Sequence, residues 1–169
     1  MIPVPDAPGL RPTPDRVRET LFNWLGQDLT GARTLDLYAG TGALTLDALS
    51  RGAALAVAVD RNPALVRALV ACAKGIGDLP LETHVDEATR FLSRESRRFD
   101  VAFLDPPFAD DTWDELLGAV APRINAGGFV YAEAGRSLAA PRGWDVVRHA
   151  RAGDVHYHLL AITQAAPRA

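Results

Sequence analysis

Apolar positions recur along this chain with two alternating periods. Short apolar or alternating runs at 34–38, 54–59, 81–85, 99–104 and 129–134 read as strands. Between them lie segments with apolar residues three and four apart. These predict helices near 43–50, from Asn62-Pro63 to about Ile76, at 88–94 and at 112–120. Glycines punctuate the alternation at Gly52, Gly75, Gly77 and the Gly127-Gly128 pair, the last read as the turn before the fifth strand. An earlier helix is predicted from Thr13-Pro14-Asp15, a capping hydroxyl followed by proline and an acid. Its core face is Val17, Leu21, Trp24 and Leu25. The stretch before it, residues 1–12, is rich in proline and glycine and reads as irregular.

The end of the chain breaks the alternation. Two strand-like runs, 144–149 and 155–162, are separated by Arg151-Ala-Gly-Asp154, which predicts an antiparallel hairpin. Five strand-helix alternations and a hairpin make an α/β sheet, mostly parallel, with an antiparallel edge. At 169 residues a single domain is expected.

Composition narrows the setting. Apolar residues make up 48% of the chain and charged ones 23%, the balance of a soluble globular protein. No apolar run reaches the length of a membrane span, and the first residues lack the pattern of a signal peptide. Cys72 is the single cysteine, so an internal disulfide is excluded and a reducing, cytoplasmic setting fits. The net charge of −3 disfavours non-specific nucleic-acid binding but allows a local basic patch.

Ligands of open α/β sheets bind beyond the carboxyl ends of the strands. Asp36, Asp60 and Asp105 all fall at or near such ends. Asp36-Leu-Tyr-Ala-Gly40-Thr-Gly42 is a strand entering a glycine turn and then a helix. The third glycine of a dinucleotide fingerprint and the lysine of a phosphate loop are both missing. An acid before the turn opposes a pyrophosphate and suits a cationic amino group. A nucleoside with a positive amino-acid tail and no phosphate fits: S-adenosylmethionine. On this reading Asp36 sits near the amino group and Gly40 and Gly42 run under the methionine part. Asp60 accepts from the ribose hydroxyls, and Asp86 or Glu87 reaches the adenine amine. Taken singly, the glycine turn, a capping role for Asp60 and a solvated turn at Asp86-Glu87 are ordinary features of any fold.

Asp105-Pro-Pro-Phe108 follows the fourth strand. Two prolines remove two N–H donors and restrict φ, so a carboxylate and the Pro106 carbonyl can converge as paired acceptors. Phe108 adds a flat apolar face. The set suits the planar NH2 group of a nucleobase.

On Gly9-Leu-Arg-Pro-Thr-Pro-Asp-Arg-Val-Arg-Glu-Thr-Leu-Phe-Asn-Trp-Leu25, Asp36–Gly42 and Asp105–Phe108, the chain resembles the bacterial RsmD family. That resemblance covers nearly the whole chain. It implies the class I, Rossmann-like methyltransferase fold with seven strands, S-adenosylmethionine as methyl donor, and transfer to the exocyclic N2 of a guanine in small-subunit (16S) ribosomal RNA, free or within the small-subunit particle. It assigns catalysis to Asp105, Pro106 and Phe108. The cofactor residues are Asp36, Tyr38, Gly40, Gly42, Asp60 and Asp86 or Glu87. No metal is implied, and a monomer is expected. The family pattern of an acid before alanine aligns with Glu87-Ala88. Relatives usually carry a basic, glycine-containing segment before the stretch that begins here at Ile2, and its absence from this sequence bears on RNA affinity rather than catalysis.

The RNA grip is expected from Arg11, Arg16 and Arg18, with Arg16 or Glu19 as an alternative brace for the active-site loop. Arg94, Arg97 and Arg98 form a second cluster, read as a solvated face. His156 and His158 alternate with apolar residues and are expected on one exposed face of the hairpin, without metal or catalytic work. Rival activities are methylation of adenine N6 or of a protein glutamine, and a cofactor-binding RNA-maturation partner without catalysis.

Overall fold

The computed structural model describes residues 15–107 and 111–163. Arg11, Phe108 and the helix start at Thr13-Pro14 lie outside them. One seven-stranded sheet holds the fold, made of β1 (Arg33–Asp36), β2 (Leu55–Asp60), β3 (Leu81–Val85), β4 (Phe99–Leu104), β5 (Ile124–Ala134), β6 (Trp144–Ala152) and β7 (Val155–Ile162). Their spatial order is β3-β2-β1-β4-β5-β7-β6. Strands β1 to β5 run parallel, while β7 lies antiparallel to both β5 and β6. The expected mostly parallel sheet with an antiparallel edge is therefore present.

Helices α1 (Asp15–Trp24), α2 (Ala43–Ser50) and α3 (Pro63–Ile76) pack on one face. Helices α4 (Ala88–Arg94) and α5 (Trp113–Val120) pack on the other. Because side chains alternate along a strand, each face has its own core. Phe103, Tyr131 and Tyr157 meet α1 to α3, whereas Leu104, Val130 and Leu160 meet α4 and α5. Helix α1 buries Val17, Leu21 and Phe22, while Trp24 and Leu25 are only partly covered. Phe22 sets its ring edge-on to Phe103 at 6.2 Å, and Trp24 stacks on Tyr157 at 5.4 Å. These contacts tie the family-specific helix to two interior strands, β4 and β7.

Two elements differ from the sequence expectation. The fifth strand begins at Ile124, so Gly127 and Gly128 lie inside it rather than forming a turn before it. Ile124 pairs with Phe99, then the register shifts and Phe129 pairs with Val101. The extra residues form a bulge held by Asp100, whose carboxylate accepts from the Arg33 N–H at 2.9 Å and from the Asn125 amide at 3.1 Å. Local glycine chemistry resembles a turn, but this side-chain staple comes from a neighbouring strand. The hairpin is also tighter than expected. Strand β6 continues to Ala152, leaving Gly153-Asp154 as a two-residue turn. Gly153 has φ 60°, the positive value that a type II′ turn requires at its first central position.

A Cβ on Gly128 would lie 2.8 Å from the Asp100 carbonyl oxygen and 2.9 Å from that of Asn125. Both are backbone atoms and cannot swing aside. Gly128→Ala is therefore expected to lower unfolding free energy by about 1–3 kcal/mol, read as a lower urea midpoint. An unchanged midpoint contradicts a rigid bulge.

Candidate active site

The strand order reverses between β1 and β4, and that crevice gathers the polar residues. After β1 the backbone keeps bonding to both neighbours: Leu37 N–H reaches the Phe103 carbonyl at 3.2 Å and Ala39 N–H reaches that of Val59 at 3.0 Å. The chain then turns through Gly40 and Gly42, at φ 56° and 82°. A Cβ on Gly42 would sit 2.3 Å from a methyl of Leu69, so α3 packs where a larger residue would intrude.

Register fixes the acids. Ala58, Asp36, Phe103 and Tyr131 form one row across β2, β1, β4 and β5. Two residues further along, on the same face, stand Asp60, Asp105 and Glu133, the last paired with Tyr157 of β7. Asp36 lies one step behind them, 4% exposed. Its carboxylate accepts from the Thr45 hydroxyl at 2.8 Å and from the Tyr38 N–H. Burial, with the charges of Asp60 and Glu133 added, pushes the Asp36 carboxyl up to about 7. Asp60 accepts from the N–H groups of Gly40 at 2.9 Å and Asn62 at 2.8 Å, so it ties the glycine turn to the end of β2.

Across the crevice, Glu133 is 2% exposed and accepts from the Tyr131 hydroxyl at 2.6 Å. The Tyr131 phenol is raised well above its usual value, by burial first and then by the charge of Glu133, with Asp105 adding to it. A cavity of about 310 Å³ opens beside this pair. Pro106, Pro107, Trp113 and Glu133 line it, and the Arg136–Asp111 ion pair at 2.8 Å borders it. That volume is at the small end for a ligand site.

A profile of the family described as Conserved hypothetical protein 95 matches residues 1–161. Ribosomal RNA small subunit methyltransferase D of Escherichia coli K12 is 37% identical over 94% of this chain and 82% of its own length. The Haemophilus influenzae protein of the same name is 31% identical over 94% and 86%. The solved structure of yhhF from Escherichia coli superimposes with a TM-score of 0.84 at 35% identity, covering 94% of this chain and 89% of that one. The chain belongs to the RsmD family. Its seven-stranded, Rossmann-like sheet is the methyltransferase fold.

Within this RsmD frame the sequence candidates separate. Asp36, Tyr38, Gly40, Gly42, Asp60, Asp105 and Pro106 come together around the crevice. The third-strand acids divide. Asp86 is buried, and its carboxylate accepts from the Glu87 N–H at 2.8 Å and pairs with the Arg94 guanidinium. Glu87 is exposed at the start of α4. Arg16 is exposed, but Arg18 is paired with Asp15 and largely covered, its buried Nε without a hydrogen-bond partner among the described residues. In the second arginine cluster only Arg98 is uncommitted to a described ion pair. Arg97 binds Glu82 at 2.6 Å and Glu95 at 2.9 Å, holding the Glu95 carboxyl at about 2.

His158 corrects an expectation. It is fully buried rather than on an exposed face, because β7 is an interior strand and the loop at Leu138 closes over it. Its Nε2 accepts from the Leu138 N–H at 3.0 Å, so the proton sits on Nδ1, which donates to the Ala132 carbonyl at 3.0 Å. His156 is half-buried and stacks on His149. Among the described residues no group of three His, Cys, Asp or Glu is arranged to hold a metal, and no helix is long and apolar enough to cross a membrane.

Tyr131 and Glu133 were missed by sequence reading. The available signal was an acid inside the apolar run 129–134, at the same strand end as the other acids.

Asp36 carries a pH signature. Between about pH 4 and 7 the folded chain holds a proton that the unfolded chain has released, so this group's contribution to stability falls as pH rises through that window and is level above it. Asp36→Asn is expected to remove that fall. Its stability relative to wild type should grow on the order of 3 kcal/mol from pH 4 to pH 8 in urea titrations. A pH-independent difference contradicts the buried, protonated carboxyl.

Proposed function

We propose that this chain transfers a methyl group from S-adenosylmethionine to the exocyclic N2 of a guanine in small-subunit ribosomal RNA. The observation that carries the reading is the position of Asp105-Pro106 beyond β4, level with Asp60 and across the crevice from the glycine turn. Relatives named ribosomal RNA small subunit methyltransferase D support the RNA substrate, which implies work in the cytoplasm.

The residues present suit the methyl donor. Gly40 and Gly42 hold the turn at positive φ, and the surrounding acids suit a cation rather than a phosphate. Asp36 would hold the amino group, and Asp60 the ribose hydroxyls. Tyr38, which the family resemblance adds to the cofactor set, follows β1 and is partly buried against the core that meets α4 and α5. Glu87 is the better partner for the adenine amine, since Asp86 is already held by Arg94. When bound, S-adenosylmethionine supplies an electrophilic methyl group on a sulfonium.

The N2 lone pair of guanine is delocalised into the ring and is a poor nucleophile. Asp105 and the Pro106 carbonyl accept its two hydrogens, which favours a tetrahedral nitrogen and stabilises the positive charge that grows there. The surplus proton leaves N2 for Asp105 or for solvent. Phe108 stacks on the base, a contact of about 1–3 kcal/mol, and the nucleotide must first leave its own stack. Arg11 and Arg16 contact phosphates. Arg18, mostly covered, is better suited to bracing the loops from α1.

Two variants test the reading. Asp105→Ala is expected to abolish most tritium transfer from labelled cofactor to small-subunit RNA while leaving cofactor affinity nearly intact, because its contact strengthens only in the transition state. Wild-type turnover in a folded variant would exclude catalysis at this loop. Asp60→Ala is expected to weaken cofactor binding at least tenfold by calorimetry, since hydrogen bonds to a charged group are worth about 1.5–3 kcal/mol. Nucleoside analysis of the labelled RNA separates guanine N2 from adenine N6, and a glutamine acceptor leaves the RNA unlabelled.

A further inference from the structure

We propose that Glu133 is the residue that selects guanine, by accepting a hydrogen bond from ring N1–H beside the target amine. This inference rests on the guanine reading above and deepens it.

Amines that fit between Asp105 and Pro106 differ in what stands next to them. Adenine N6 neighbours ring N1 and cytosine N4 neighbours ring N3, both bare acceptors. A glutamine amide nitrogen neighbours its own carbonyl oxygen. Guanine N2 has a donor, N1–H, on the adjacent ring atom. A second carboxylate beside Asp105 therefore attracts guanine and repels the other three.

Glu133 is placed for that work. It stands on β5 at the pleat level of Asp105, the residue just beyond adjoining β4, and neighbouring strands are about 4.8 Å apart. It borders the cavity with Pro106. At 2% exposure a carboxylate is a costly group to keep, and satisfying one phenol does not require a charge. The Tyr131 hydroxyl occupies Oε1 at 2.6 Å, fixing the carboxylate plane. Oε2 is then the oxygen left to meet the base. The raised phenol keeps Tyr131 a donor through the working pH range. Glu133 would touch the substrate base, and Tyr131 acts as its positioning residue.

The test uses small-subunit RNA in which the target guanine is replaced by 2-aminopurine, introduced by ligation. That base keeps the 2-amino group but carries a bare acceptor at N1. Wild type is expected to prefer guanine by about 100-fold in kcat/KM. In Glu133→Gln the amide oxygen stays with Tyr131 and the NH2 faces the base, opposing guanine N1–H and suiting 2-aminopurine. The preference should shrink to about tenfold or less, with S-adenosylhomocysteine affinity unchanged by calorimetry. The missing O6 of 2-aminopurine affects both enzymes alike and cancels in the comparison.

A guanine preference in Glu133→Gln within threefold of wild type overturns the role of Glu133 and leaves the guanine reading standing. Methylation by wild type of a base other than guanine overturns both. Should Glu133→Gln fail to fold, Tyr131→Phe decides. It keeps the ring and frees the carboxylate, so the guanine preference should fall at least threefold, and an unchanged preference rejects the proposal.

Discussion

The register of the parallel sheet is the constraint on which the rest depends. Asp60, Asp105 and Glu133 come from three strands separated widely in sequence, yet they share one face and one level because each stands two residues beyond a paired row. A slip of one residue in any strand would move its acid to the opposite face, among the apolar residues that meet α4 and α5. The two cores prevent such a slip, since each would have to exchange its apolar set at once. The Asp100 staple at the β5 bulge serves the same end, because it pins the strand that carries Tyr131 and Glu133.

Gathering acids in a crevice opposes folding. For Asp36, Asp60 and Glu133 the structure offsets the cost with local hydrogen bonds. Asp36 takes the Thr45 hydroxyl and the Tyr38 N–H, Asp60 takes two backbone N–H groups, and Glu133 takes the Tyr131 phenol. These bonds do not balance the burial of Asp36, whose carboxyl remains near 7. A site that holds excess negative potential in this way is suited to a cationic ligand and unsuited to a phosphate. Strain of this kind concentrates where a protein binds.

Arginines and histidines away from the crevice act as fasteners. Arg94 secures Asp86 at the end of β3, and Arg97 joins Glu82 on that strand to Glu95 beyond α4. His158 joins β7, β5 and the loop at Leu138 through both ring nitrogens. Helix α1 reaches the sheet through Phe22 and Trp24, so the segment that distinguishes the family also buttresses the strands beneath the crevice.

The sequence by itself determined the element order, the parallel sheet with its antiparallel edge, the glycine turn and the three aspartates at strand ends. Periodicity, glycine and proline act locally, and the rule that ligands meet strand ends needs only the order of elements. Tertiary structure decided what depends on partners distant in the chain. Asp100 draws Gly127 and Gly128 into a strand that local chemistry would end as a turn. Burial of His158 follows from a loop closing over an interior strand, which alternation cannot reveal. Asp86 is separated from Glu87 because Arg94, eight residues on, and Arg90 both pair with it. Tyr131 and Glu133 join the site only when β5 is laid beside β4 in this register. Their spacing of two shows that they share a face, but the identity of the facing strand is a property of the whole sheet.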